Sequence, residues 1–190
     1  MAYAGLDNRM AGATAAYLIG QWLARREGDV LITISNEHFR GEEEREISFR
    51  IELLRRYPKL NLVDASGGHG LDAQTEQRVK RAVGSGRKIV AVYLMGGGNV
   101  AILRALKSMG QTPKCFIGHD LDRDNVELLR DGKLSAVLHH DLREDMQTAC
   151  HYIMHFHTLL PASAIRPSSS VVVITLAHIP HSVEQRFGRR

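Results

Sequence analysis

Apolar positions along the chain alternate between two periods. Short β-branched runs recur as VLITIS (30–35), LNLVDA (60–65), KIVAVYL (88–94), CFIGHD (115–120) and LSAVLHH (134–140), each bounded by polar or glycine-rich loops. Runs this short and this continuously apolar suit parallel strands covered on both faces. Between them, apolar residues return at helical spacing over 8–26, 41–56, 72–83, 99–109, 122–131 and 141–158. Strand and helix therefore take turns with connections of a few residues. That predicts an α/β fold, a doubly wound, mostly parallel sheet flanked by helices on both faces.

Local punctuation supports these elements. Asp7 or Asn8 caps the first helix, whose small residues Ala11, Ala15 and Ala16 share one side, and Gly28 stands near its C-cap. The segment GEEEREISFRIELLRR places carboxylates in the first turn, where the helix dipole favours them, and Pro58 ends it. Asp141 reads as the cap of the helix over 141–158.

Composition narrows the function classes. With 190 residues, 44% hydrophobic and 6% aromatic, the chain can bury one domain core. The 25 basic and 21 acidic residues are interleaved, and no basic helix with interspersed aromatics occurs. A nucleic-acid surface is therefore not expected, and Arg186, Arg189 and Arg190 read as a solvated tail. Cys115 and Cys150 stand apart, without the spacing of a zinc site or disulfide framework. No apolar run approaches the roughly 20 residues of a membrane span, and the N-terminus lacks the pattern of a secretion signal. The expectation is a cytoplasmic protein with no membrane contact.

In an open parallel sheet, ligands bind beyond the carboxyl ends of the strands. The loops there bring Asn36, Arg40, His69, Asn99, His119, Asp120 and His140 to one rim. The run Gly96, Gly97, Gly98 suggests close approach of backbone to a ligand. A phosphate loop would need Lys and Ser or Thr directly after the glycines, and a dinucleotide fingerprint a third glycine at the right spacing; MGGGNVAI has neither. Asn99 can instead cap its helix or bond a hydroxyl-rich ligand. His151 and His155 have the spacing of a zinc pair but lack the glutamate of a catalytic metal motif, and read as structural. No nucleophile elbow is present. No catalytic residue, metal or cofactor is expected.

The segments GLDNRMAGATAAYLI, ISNEHFRGEEEREISF, AVYLMGGGNVAILRAL, FIGHDLDRDNVELLRDGKLSAVLHHD and DMQTACHYI occur in an order and spacing that resembles sugar-responsive repressors of the lac-repressor family and the related type I periplasmic sugar-binding proteins. The resemblance implies a two-lobed effector domain with a sugar held between the lobes. It implies that 7–140 forms the C-terminal lobe, that 141–170 belongs to an N-terminal lobe otherwise missing, and that 171–190 is a returning strand and tail. Asp120 falls where the family has an aspartate accepting bonds from sugar hydroxyls, His140 where relatives often have Gln, and Asn99 where they present Asn or Asp. Arg40 and Arg45 compete for a basic ligand contact, and Arg40 is preferred because it lies at the loop end. The site so expected is Asn36, Arg40, Asn99, His119, Asp120 and His140. The resemblance further implies a homodimer, with DNA contacted only through a headpiece absent from this chain. An enzyme using His140 or His119 as acid or base, and an inactive truncated remnant, are the alternatives.

Overall fold

A computed structural model describes residues 3–24, 27–36, 38–165 and 168–187. Within them the order is α1 (Asn8–Trp22), β1 (Gly28–Thr33), α2 (Arg40–Arg56), β2 (Leu60–Asp64), α3 (Asp72–Val83), β3 (Ile89–Leu94), α4 (Asn99–Ser108), β4 (Cys115–His119), α5 (Arg123–Arg130), β5 (Ala136–His139), α6 (Leu142–Phe156), β6 (Val172–Ile174) and α7 (His181–Phe187). The strands form one sheet in the order β2-β1-β3-β4-β5-β6. The first five are parallel, and β6 runs antiparallel to β5 with Val137 opposite Ile174. The doubly wound architecture expected from the alternation is the one observed.

The pleat divides the core. Val30, Ile32, Ala91, Tyr93, Cys115, Ile117 and Leu138 face a cluster completed by α1 and α2. Leu31, Val92, Leu94, Phe116 and Val137 face the other way, into a cluster with α3, α4, α5 and α7. Alternate side chains of one strand thus feed opposite layers, which is why the strands read as unbroken apolar runs.

On the first layer α1 and α2 approach closely because of glycine. A Cβ on Gly12 would lie 2.1 Å from the Arg45 carbonyl oxygen, and one on Gly20 would lie 2.0 Å from the Tyr57 ring. The small residues of α1 serve helix packing.

Three local expectations are corrected. The first helix stops at Trp22, its C-cap Leu23 donating to Ile19 O, and Ala24 then takes φ +47°. Gly28 is therefore no helix cap. It opens β1 at φ +146°, where a Cβ would meet Val90 Cγ1 at 2.6 Å. The C-terminal segment is more than a strand and tail, since Ile179, Val183 and Phe187 pack α7 against the second core cluster. Arg186 lies over the Phe187 ring, while Arg189 and Arg190 lie outside the described residues.

α6 behaves differently from the other long helices. Asp141 caps it by accepting from Arg143 N, as its position suggested, yet Thr148 is its one buried residue. Leu142, Met146, Ile153 and Phe156 are exposed, Phe156 to 83%. Near its start the chain passes the pair Leu6 and Ser169, which form an isolated parallel bridge, with Asp7 N donating to Ser169 O and Ser169 N to Gly5 O.

Candidate functional site

The site is built where β4 and β5 end. Asp120 follows β4 in the left-handed region, φ +63°, which costs a non-glycine residue on the order of 1 kcal/mol and is best tolerated by Asp or Asn. The strain is held by bonding. Asp120 N donates to Leu138 O, and Asn125 Nδ2 donates to the carbonyls of His119 and Asp120, both at 2.8 Å. Asn125 is fixed in turn by Asp122, the cap of α5, and by the amide of Asn99. The Asp120 side chain is left about half exposed.

His140 follows β5 and lies between two carboxylates. Its Nδ1 is 2.5 Å from Asp145 Oδ2 on α6, and its Nε2 is 3.6 Å from Asp120 Oδ1. Asp120 first, then Asp145, raise the His140 pKa above the ordinary imidazole value, outweighing partial burial. Burial by itself would raise the Asp120 carboxyl. His140 beside it and the Arg45 guanidinium outweigh that, and the carboxyl is held below the usual carboxylate range. Asp120 is therefore an anionic acceptor at neutral pH.

Arg45 comes from α2, held by a chain of bonds. Asn8 Nδ2 donates to the Tyr3 hydroxyl, Arg45 Nε donates to Asn8 Oδ1 at 2.8 Å, and Arg45 Nη1 donates to Met95 O at 2.7 Å. Its Nη2 has no hydrogen-bond partner among the described residues. A cavity of about 520 Å³ opens beside these groups, lined by Tyr3, Asn8, Arg45, His140, Asp145 and Met146 among others. Such a mixture of an apolar wall and a few convergent polar groups suits a small polar ligand.

Of the six residues predicted for the site, the structure brings Asp120 and His140 together. The other four sit elsewhere. Arg40 is solvated and paired with Glu44 at 3.1 Å, whereas Arg45 is the arginine that lines the cavity. Asn36 lines a separate hollow with His38, Ser66 and His69, its Oδ1 accepting from His38 N. Asn99 is buried, its amide given to Asn125 and its Oδ1 without a partner; the cap of α4 is Gly98. His119 is only 3% exposed, its Nε2 2.8 Å from the Tyr93 hydroxyl. Burial, then Arg45, drives its pKa well below the imidazole value, so His119 is neutral.

The glycines also need correcting. A Cβ on Gly96 would lie 2.5 Å from Glu42 Oε1, and that carboxylate accepts from both the backbone N and the hydroxyl of Ser35. Gly98 takes φ +112° at the start of α4. Two of the three glycines thus serve the protein's own contacts, and Gly97 alone faces open space. The Nδ1 atoms of His151 and His155 bond the carbonyls of Ala164 and Leu160. Among the described residues no group of three His, Cys, Asp or Glu could hold a metal ion, and no helix is long and apolar enough to cross a membrane.

The family model for the periplasmic binding protein domain matches residues 1–155. The chain belongs to that family. No curated protein matches the chain in sequence. Among solved structures, AraP, an arabinose binding protein from Geobacillus stearothermophilus, aligns at 20% identity and TM-score 0.76, covering 97% of this chain and 65% of that one. GanP, a glucose-galactose binding protein from the same organism, aligns at 17% identity and TM-score 0.81, covering 94% and 64%. An ABC transporter periplasmic solute binding protein from Actinobacillus succinogenes 130z, solved with bound D-allose, aligns at 16% identity and TM-score 0.71, covering 92% and 61%. At these identities the likeness concerns the fold, and the chain spans less than two thirds of the length of these binding proteins.

Proposed function

We propose that this periplasmic binding protein domain is one lobe of a two-lobed module that binds a neutral sugar or polyol without altering it chemically. The observation that carries the reading is Asp120: an ionised, half-exposed carboxylate in a strained backbone conformation beside His140 at the carboxyl end of the sheet, with Arg45 close enough to help hold it ionised. A carboxylate accepting from hydroxyls and a guanidinium donating to ring or hydroxyl oxygens are complementary to a polyol's alternating donors and acceptors, and charge-assisted bonds are the stronger kind. The sugars named for the structural neighbours make the same class of ligand the natural panel.

The second lobe is inferred from α6 and from the strand ends. The chain leaves the carboxyl side of the sheet at Leu6, at Asp141 and at Ser169, and the first and last of these lie side by side. A helix with one buried residue and an exposed apolar stripe needs a surface beyond the described residues. We take the segment 141–170 as part of that second lobe.

The setting we favour is a transcription regulator of the lac-repressor type, cytoplasmic, acting on DNA through a headpiece outside this chain. The GHDLD to DGKLSAVLHHD portion supports it, and so do two unpaired cysteines, one of them exposed, which suit a reducing compartment. The transporter proteins among the structural neighbours favour an extracytoplasmic solute carrier as the second setting. Titration calorimetry with arabinose, glucose, galactose and allose tests the binding claim, with Asp120→Ala as control. Binding of a member of the panel that the variant loses supports the reading; a site unaffected by the variant contradicts it. The coding sequence upstream of Met1 separates the settings: an in-frame helix-turn-helix supports a regulator, a signal segment a carrier.

A further inference from the structure

His140 turns its two ring nitrogens toward two different carboxylates, and the two distances differ in kind. Nδ1 lies 2.5 Å from Asp145 Oδ2, a hydrogen bond, whereas Nε2 lies 3.6 Å from Asp120 Oδ1, too far for one. A carboxylate only accepts, so Nδ1 carries the proton of the first contact. A neutral imidazole has a single N–H. With that N–H given to Asp145, Nε2 turns a lone pair toward the Asp120 carboxylate, and two acceptors face each other. A second proton, on Nε2, removes the conflict and leaves an N–H without an acceptor among the described residues.

The surroundings favour that second proton. The side chains of His140 and Asp145 are only 12% and 13% exposed, so water and salt screen the pair weakly. His139, its ring centroid 6.1 Å away, and His119 are kept neutral by burial, and Asp141 is turned to Arg143 N. Arg45 of α2, on the wall of the same cavity, is the positive group that opposes it. Asp120 and Asp145 outweigh that opposition.

The gap between Nε2 and Oδ1 has the size and polarity of one hydroxyl. An oxygen about 2.8 Å from both atoms accepts from Nε2–H and donates its own proton to Asp120. Without the second proton on the ring, the same hydroxyl meets two acceptors and can satisfy only one. We propose, resting on the sugar-binding reading, that one sugar hydroxyl bridges Asp120 and a doubly protonated His140. Asp145 is the positioning residue that sets this state of the ring, and binding takes up a proton wherever the free protein holds His140 neutral.

Titration calorimetry with arabinose, glucose, galactose and allose tests this when repeated across a pH series, at each pH in two buffers of different ionisation enthalpy. Affinity should be level on the acid side. It should fall as pH rises through the folded His140 value, which lies above the ordinary value of about 6.5, by about tenfold per pH unit at the steepest. Above that value the buffer pair should show uptake of about one proton per sugar bound. His140→Gln, whose amide donates without titrating, should bind with a level profile and no proton uptake. Asp145→Asn should move the fall to lower pH and leave the affinity at the acid end unchanged, a split that damage to the fold does not give. In the protein without sugar, NMR of the His140 ring nitrogens should find the proton on Nδ1 on the alkaline side. A sugar bound equally well at every pH, an Asp145→Asn loss that is the same at every pH, or a neutral ring protonated on Nε2 would each overturn the proposal while the sugar-binding reading stands. No heat from any of the four sugars at any pH would overturn that reading, and the proposal with it.

Discussion

β4 and α6 follow the same chain pattern, apolar residues at the period their element requires, and meet opposite fates. Cys115–His119 is buried from end to end, because α1 covers one face of the sheet and α4 and α5 the other. Leu142–Phe156 is just as well capped and periodic, yet leaves Leu142, Met146, Ile153 and Phe156 in solvent. Apolar periodicity states which residues need cover. It does not state whether the cover lies in the same lobe.

The largest effect should come from deleting one covered and one uncovered aromatic, Phe49 of α2, which packs on the same sheet, and Phe156 of α6. Phe49 is fully buried, its ring centroid 4.5 Å from that of Tyr93, so Phe49→Ala should lower unfolding free energy by about 3–5 kcal/mol. Phe156→Ala should change it by less than about 0.5 kcal/mol in this chain. Denaturant unfolding of both variants breaks the comparison if Phe156 proves as costly as Phe49. Hydrogen exchange sharpens it: amides of β3 should exchange only by global unfolding, and those of α6 by local opening well below that cost.

A smaller effect separates neighbouring glycines of the same loop. Gly96→Ala should cost about 1–3 kcal/mol, because the new methyl displaces Glu42 from Ser35 and leaves partly buried polar groups unpaired. Gly97→Ala, with nothing within 4 Å of its Cβ position, should cost a small fraction of that.

The smallest effect concerns the joint between sheet and α6. The folded His140 pKa is raised, so its contribution to stability is fully present below the ordinary value of about 6.5 and is lost as pH rises through the folded value. Asp145→Asn should remove part of that pH dependence, at a cost of about 1 kcal/mol below pH 6.5 and less above it. Unfolding curves at a series of pH values read this directly, and equal loss at all pH values would show that Asp145 acts by packing alone.

How much of this was legible in the sequence follows from how local each signal is. The strands and the helix 72–83 are declared by period and by loop residues, and the capping of Asp7 and Asp141 by short-range chemistry, so they could be read residue by residue. Asp120 and His140 were legible as strand-end residues. Arg45 was weighed and set aside, because its place depends on Asn8 and Met95, distant in sequence. Asn99 and His119 have rim positions but point inward, Asn99 to Asn125 of α5 and His119 to Tyr93 on the opposite face of the sheet, which period and spacing do not report. Tyr93 reads as one more strand residue, and only the fold shows its hydroxyl against His119.

The central claim is that a neutral sugar or polyol binds at Asp120, and titration calorimetry with Asp120→Asn tests it most directly. Asparagine tolerates the same left-handed backbone and keeps the side chain's shape, so the substitution removes the charge and little else. The account predicts a cooperatively folded variant that loses only the stability Asp120 shares with His140, and a loss of about 1.5–3 kcal/mol in binding free energy for a sugar that the unsubstituted protein binds. A variant that binds that sugar as tightly as the unsubstituted protein would contradict it.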